Sequence, residues 1–183
     1  MSTSSANGRD QPATGIAPDE LADRVKNVHR LYPTGVTIVT SEVDGQPFGL
    51  AVNAFSSLSL DPPLVLVCLA TTASSYPGFF SRDHMAVNIL AHDQSDVASV
   101  FGRSNPHKFR DVGWHLGAHG APLLDGVSAT LELQVESRIP AYTHSIFIGR
   151  VLNAESTGRL PLLYVDRRFH DSSTIPGIEA SSS

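Results

Sequence analysis

The sequence has one cysteine, Cys68, among 183 residues. That excludes an intramolecular disulfide framework and any cysteine-rich zinc site. Charge is also scarce. Asp, Glu, Lys and Arg make up 17% of the chain, and 13 basic against 18 acidic side chains leave a formal net charge of −5. No basic run stands against that balance, so nucleic acid and anionic membrane surfaces are poor partners. No stretch approaches the roughly 20 apolar residues that span a bilayer. Residues 1–15 are rich in Ser, Thr, Gly and Asn and lack the apolar segment of a secretory signal, so the expected compartment is the cytoplasm. Several signatures are missing too. There is no G-x-G-x-x-G after a strand, no P-loop, no G-x-S-x-G and no H-E-x-x-H.

Hydrophobic residues reach 41%, enough for a core of ordinary size. Both ends are rich in Ser, Pro, Gly and Thr, so residues 1–18 and 171–183 are expected to be tails around one domain at 19–170. Leu21, Val25, Val28 and Leu31 recur at helical spacing, with Asp19 and Glu20 in the first turn and Pro33 beyond the end. This predicts a helix over 19–31.

Strand signals dominate after that. Residues 36–40 are mostly β-branched, Asp44-Gly45 is a hairpin dipeptide, and 48–55 is the expected return strand. Residues 64–70 are apolar throughout, the pattern of a strand buried on both faces. Residues 127–135 alternate, with Val127, Ala129, Leu131, Leu133 and Val135 on one face and Ser128, Thr130, Glu132 and Gln134 on the other. Residues 85–90, 145–152 and 160–165 complete about seven strands, with short helices expected at 75–82 and 95–102. Strands at this spacing predict a mainly β protein closing into a barrel, which also removes exposed sheet edges.

Three segments carry candidate chemistry. In Thr71-Thr72-Ala73-Ser74-Ser75 a strand meets a helix. Composition favours a plain N-cap by Ser74 or Ser75, and the same hydroxyls and N–H groups suit a phosphate. In Asn53-Ala54-Phe55-Ser56-Ser57-Leu58-Ser59 small residues let a flat ligand approach the backbone, although an ordinary strand end reads as well. His115 and His119 have metal-ligand spacing, but Gly113, Gly117 and Gly120 argue for a polar loop.

The ordered set of motifs is more specific than any one of them. Tyr32-Pro33-Thr34-Gly35-Val36 is followed by the run from Gly49 through Asn53-Ala54-Phe55-Ser56-Ser57 to Asp61-Pro62-Pro63-Leu64. Then come Ala86-Val87-Asn88-Ile89-Leu90, Phe101-Gly102, Lys108-Phe109, Gly120-Ala121-Pro122-Leu123, Thr143-His144-Ser145 and Pro161-Leu162-Leu163-Tyr164. Together they resemble the flavin reductase family, the small reductase components of two-component flavin-dependent monooxygenases. The likeness runs from about residue 28 to residue 170. The sequence departs from that family at Ala51, Ala54 and Thr143, where Thr, Ser and an acidic residue are common; the first two departures leave backbone contacts in place of hydroxyls.

The resemblance implies a split β-barrel of Greek-key type, usually a homodimer. It implies that Thr34, Gly35, Asn53, Ala54, Phe55, Ser56 and Ser57 line the flavin ring and ribityl chain, with Cys68 and Leu69 beside the ring. Ser74 and Ser75 would take the flavin phosphate. Phe101, Gly102 and Lys108 would close the phosphate or adenine side, though Lys108 reads equally as an exposed lysine. His144 would meet the nicotinamide nucleotide, bordered by Tyr164, Arg167, Arg168 and Phe169; for the two arginines a solvated turn reads equally. The implied activity is hydride transfer from NADH to FAD (or FMN), with no essential general acid or base and no metal. Reduced flavin would pass to a partner monooxygenase. Two alternatives stay open: a split-barrel oxidase that keeps FMN, and a flavin carrier without turnover.

Overall fold

The computed structural model describes residues 15–177. The expectations for residues 1–14 and 178–183 lie outside them. The first element is helix α1 (Pro18–Arg30). Pro18 opens it, Asp19 and Glu20 sit at its positive end, and His29 and Arg30 sit at its negative end, each favourable to the helix dipole. Its apolar stripe forms as the spacing predicts, yet no residue of α1 is buried.

Strands β2 (Thr37–Val43) and β3 (Gln46–Val52) form the expected hairpin. Asp44 and Gly45 both take positive φ, 50° and 75°, as a tight twisted hairpin turn requires. The return strand is shorter than predicted. It stops at Val52, and Asn53-Ala54 forms a break in which the Phe55 N–H donates to the Asn53 carbonyl. Strand β4 (Phe55–Leu60) begins there and pairs with β5 (Pro63–Ala70). After helix α2 (Tyr76–Ser81) come β6 (His84–Ile89), helix α3 (Ser95–Phe101), and the hairpin of β7 (Trp114–Leu116) and β8 (Pro122–Leu124). Two long strands follow, β9 (Ala129–Ala141) and β10 (His144–Ser156).

Seven strands pair antiparallel in the order β3-β2-β6-β9-β10-β5-β4. Strands near both edges supply one core, with Val52 of β3 beside Val65, Val67 and Leu69 of β5 around Phe79, Met85, Leu133 and Phe147. This is a mainly β split barrel. A second core holds Val36, Ile38, Leu90, Phe101, Leu124 and Leu162. Ile38 and Val39 are adjacent in β2 and feed different cores, so β2 is buried on both faces. A small sheet, β1 (Thr34–Gly35), β11 (Leu162–Val165) and β12 (Arg168–Asp171), flanks the barrel. Beyond it Ser172 donates to the Pro161 carbonyl at 2.6 Å. Among the described residues no helix is long and apolar enough to cross a membrane.

Two expectations change. β5 is not buried on both faces: Val65, Val67 and Leu69 are buried, while Leu64, Leu66, Cys68 and Ala70 stay half exposed. The polar face of β9 is not solvated at Glu132, which is 1% exposed. The turn at 117–121 covers it, with the His119 N–H donating to Glu132 Oε1 at 2.7 Å and Asn153 Nδ2 to Oε2 at 3.3 Å.

Candidate functional site

Three cavities hold most of the candidate residues: two adjoin at β1, and one lies on the β3 side. The central one, about 340 Å³, lies between β1 and the break after β3. Thr34, Gly35, Asn53, Ala54, Phe55 and Ser56 all line it, joined by Tyr32 and Leu66. The fold brings these distant segments together because Thr34 and Gly35 pair with Tyr164 and Leu163, while Ala54 accepts from the Cys68 N–H at 3.0 Å. Tyr32 is the one titratable side chain in this lining. Ser57 is exposed and lines none of the three cavities. Cys68 is half buried on the same face of β5 as the cavity-lining Leu66. Leu69, expected beside it, points the opposite way and is fully buried in the barrel core. Strand alternation removes its side chain from the site.

The second cavity, about 300 Å³, gathers Ser74, Ser75, Gly49, Asn105 and Lys108. Ser75 stands at the start of α2 but makes no side-chain cap, against the composition-based expectation. Its hydroxyl is therefore not committed to the helix end. Lys108 is not a surface lysine: it is 7% exposed, and Nζ donates to the Phe101 carbonyl at 3.0 Å and the Gly49 carbonyl at 3.2 Å. An ammonium has three N–H donors, so two bonds leave one for the cavity. Burial lowers the Lys108 pKa from its ordinary value. Gly49 itself has no room for a side chain, since a Cβ there would lie 2.8 Å from the Val39 carbonyl oxygen and 3.1 Å from the Phe101 ring. Phe101 and Gly102 do not close the cavity as expected. Phe101 is a core residue packed edge-on against Phe109 at 5.1 Å, and Gly102 caps α3 through a 2.9 Å bond to the Ala98 carbonyl.

The third cavity, about 460 Å³, shares Tyr32, Thr34, Asn53 and Ala54 with the central one. Tyr164 and Arg167 line it, with Asp166. Asp166 and Arg167 form the β11–β12 turn with φ of 47° and 62°. Arg168 and Phe169 are exposed beyond it, with Phe169 packed on Tyr164 at 5.3 Å. His144 lines none of the three cavities. It is exposed at the start of β10, opposite Ala70, with Nδ1 2.9 Å from Thr143 Oγ1. It shares an outer sheet face with Leu66, Cys68, Ile146 and Ile148.

The opposite wall of the third cavity was missed from the sequence. Lys26, His29 and Arg30 come from the last turns of α1. The basic C-terminal end of the helix was the available signal. The histidine pair has different partners: His115 Nδ1 lies 3.0 Å from Asp125 Oδ1, and the His119 ring stacks on His84. Among the described residues no three His, Cys, Asp or Glu side chains form a metal-holding group.

The family described as flavin reductase like domain matches residues 28–173. The reductase component of a flavin-dependent trigonelline monooxygenase from Acinetobacter baylyi is 42% identical over 73% of this chain and 43% of its own length. An FMN reductase (NADH), SmoA, from Agrobacterium fabrum is 36% identical over 76% of this chain and 79% of its own. Among solved structures, the NADH:FAD oxidoreductase SgcE6 of Streptomyces globisporus, in complex with NAD and FAD fragments, superposes with a TM-score of 0.78 at 33% identity, covering 85% of this chain and 94% of that one. The chain spans only 41–43% of the length of two curated relatives that it matches.

Proposed function

The chain belongs to the flavin reductase like domain family, and from that premise we propose an NAD(P)H:flavin oxidoreductase that moves hydride from NADH to FAD or FMN. Its reduced flavin serves a partner monooxygenase, and it works in the cytoplasm as one domain over 19–170. One observation carries the reading: a buried ammonium, Lys108, lines one cavity with the uncapped Ser75, and a second cavity is lined mostly by small, uncharged residues.

Lys108, Ser74 and Ser75 fit the phosphate of a flavin. The segment 53–56 with Thr34 and Gly35 fits the flat ring, and Cys68 borders it. Gly49 in one cavity and Asn53 in the other are four residues apart, at most roughly 13 Å along the chain, within the reach of a ring joined to its phosphate by a short polyol. The bound flavin supplies the hydride acceptor. The chain's own residues bind, stack and orient; the central lining offers no carboxylate, histidine or lysine as a general acid or base, and hydride transfer between two cofactors asks for none.

We assign Tyr164 and Arg167 to the NADH side, with Arg168 and Phe169 supporting their turn. We also assign a homodimer. The outer sheet face bearing Leu66, Cys68, Ile146 and Ile148 is half exposed, and Ile139 beside it is 46% exposed. A second copy packed there covers the face that β5 leaves open and brings His144, at its rim, toward the nucleotide.

The test is NADH oxidation by the purified protein with no flavin, with FAD and with FMN. Fast oxidation only on adding free flavin is expected. A protein that binds flavin and oxidises no NADH under any of the three conditions refutes the reading and favours a carrier or an oxidase.

A further inference from the structure

We propose that the third cavity is an anion subsite for the pyrophosphate of the dinucleotide hydride donor, built by Arg30 of α1 and Arg167 of the β11–β12 turn. It deepens the reductase reading and rests on it. Three cations, Lys26 and Arg30 of α1 and Arg167 of the turn, line the cavity with one carboxylate, Asp166. That is a local excess of positive charge on a chain whose net charge is −5. Lys26 is partly spent, since Nζ lies 2.8 Å from Asp23 Oδ1. Arg30 and Arg167 have no carboxylate within ion-pair distance among the described residues.

A second observation points the same way. Arg30 Nε and Thr34 Oγ1 are buried without a hydrogen-bond partner among the described residues, and both residues line this cavity. Buried donors of this kind are costly unless a ligand completes them. Guanidinium groups suit phosphate oxygens because their N–H donors lie in a planar fork.

Position selects the occupant. The cavity adjoins the central one through Tyr32, Thr34, Asn53 and Ala54, while the Lys108 cavity lies on the β3 side. A flavin whose phosphate sits at Lys108 leaves this end for the nucleotide that stacks on its ring. The turn is tied to the helix by the Asp166 N–H, which donates to the Arg30 carbonyl at 2.8 Å, so the two arginines come from segments held together by backbone.

The experiment compares Arg30→Gln and Arg167→Gln with the unaltered protein. Three substrates are titrated, NADH, reduced nicotinamide mononucleotide (which lacks the adenylate half) and the flavins, and ADP binding is followed by calorimetry. Each substitution should raise KM for NADH about tenfold, as expected for loss of one charge-assisted bond. KM for FMN should hold, KM for the mononucleotide, which keeps one of the two phosphates, should rise less than KM for NADH, and ADP affinity should fall by a factor similar to that for NADH. Both changes keep the backbone bond; Arg167 lies on an exposed turn, and a thermal melt of the Arg30→Gln protein separates lost binding from lost folding. An unchanged KM for NADH in both variants overturns the proposal. So does a rise confined to FAD, which would give the cluster to the flavin's own ADP half. If the unaltered protein oxidises no NADH with either flavin, the reductase reading falls, and the ADP titration still decides the subsite: binding lost in the variants supports it, and no binding overturns it.

Discussion

The Lys108 cavity and the α1 cavity hold cations in opposite ways. At the Lys108 end the ammonium is buried, bonded to two carbonyls and backed by Phe101 of the second core. At the α1 end the cations sit on a helix with no buried residue and on a turn whose residues are exposed. A charge fixed in the core is positioned before the ligand arrives and loses little entropy on binding. An exposed cation such as Arg167 must be ordered by the ligand, which weakens binding and speeds release. The first arrangement suits the group that must be placed accurately, and the second suits one that has to leave each turnover.

The largest effect should come from Lys108→Met. It leaves the Gly49 and Phe101 carbonyls without their donor, at a cost of about 1–3 kcal/mol, and raises KM for FMN at least tenfold. Denaturant melts and flavin titrations read both; an unchanged KM would break the contrast between the two ends. The same residue sets a pH signature. Burial lowers its pKa from the ordinary 10.5. Between that lowered value and 10.5 the unfolded chain binds more protons than the folded one, so this group makes stability rise with pH across that window. Flavin affinity falls over the same window, because the ammonium is lost. Lys108→Met should abolish that alkaline fall.

Next in size is the double change Ser74→Ala with Ser75→Ala. It should raise KM for FMN several-fold, roughly one neutral hydrogen bond per hydroxyl, while riboflavin, which has no phosphate, is unaffected. Equal losses for the two flavins would mean that the serines do not meet the phosphate. Smallest is Glu20→Gln at the exposed end. The Arg24–Glu20 pair is 2.7 Å long but more than half exposed on both sides, so thermal melting should register no more than about 0.5 kcal/mol. A larger loss would show that α1 is held more firmly than its exposure indicates.

Local patterns in the sequence carried much of the fold. The α1 stripe, the Asp44-Gly45 turn and the alternation of β9 are set by neighbours a few residues apart, and all three form. What periodicity does not report is which element covers a face. β5 is apolar on both sides, yet this chain covers only one. Glu132 looks solvent-facing by alternation and is buried because a turn some fifteen residues earlier folds over it. Much of the site was legible because motif order fixed it: Thr34, Gly35 and 53–56 do converge, as do Ser74, Ser75 and Lys108. Phe101 and Leu69 were misread for one reason, that an apolar residue beside a motif reads as a ligand wall until the direction of its side chain is known. Arg30 was missed because its partner turn is more than 130 residues away in the chain.

The strand order of the large sheet also bears on how the chain reaches this shape. Of its six ladders, β2–β3, β4–β5 and β9–β10 are hairpins that close short loops. The other three join distant segments; β10 meets β5 with His144 against Ala70. Non-local ladders must overcome loop-closure entropy before their contacts repay it. The hairpins are therefore early structure and the barrel late structure. The cavities draw on β1, β3, β5 and the β11–β12 turn, segments brought together by non-local pairings, so none of them is complete before such pairings form.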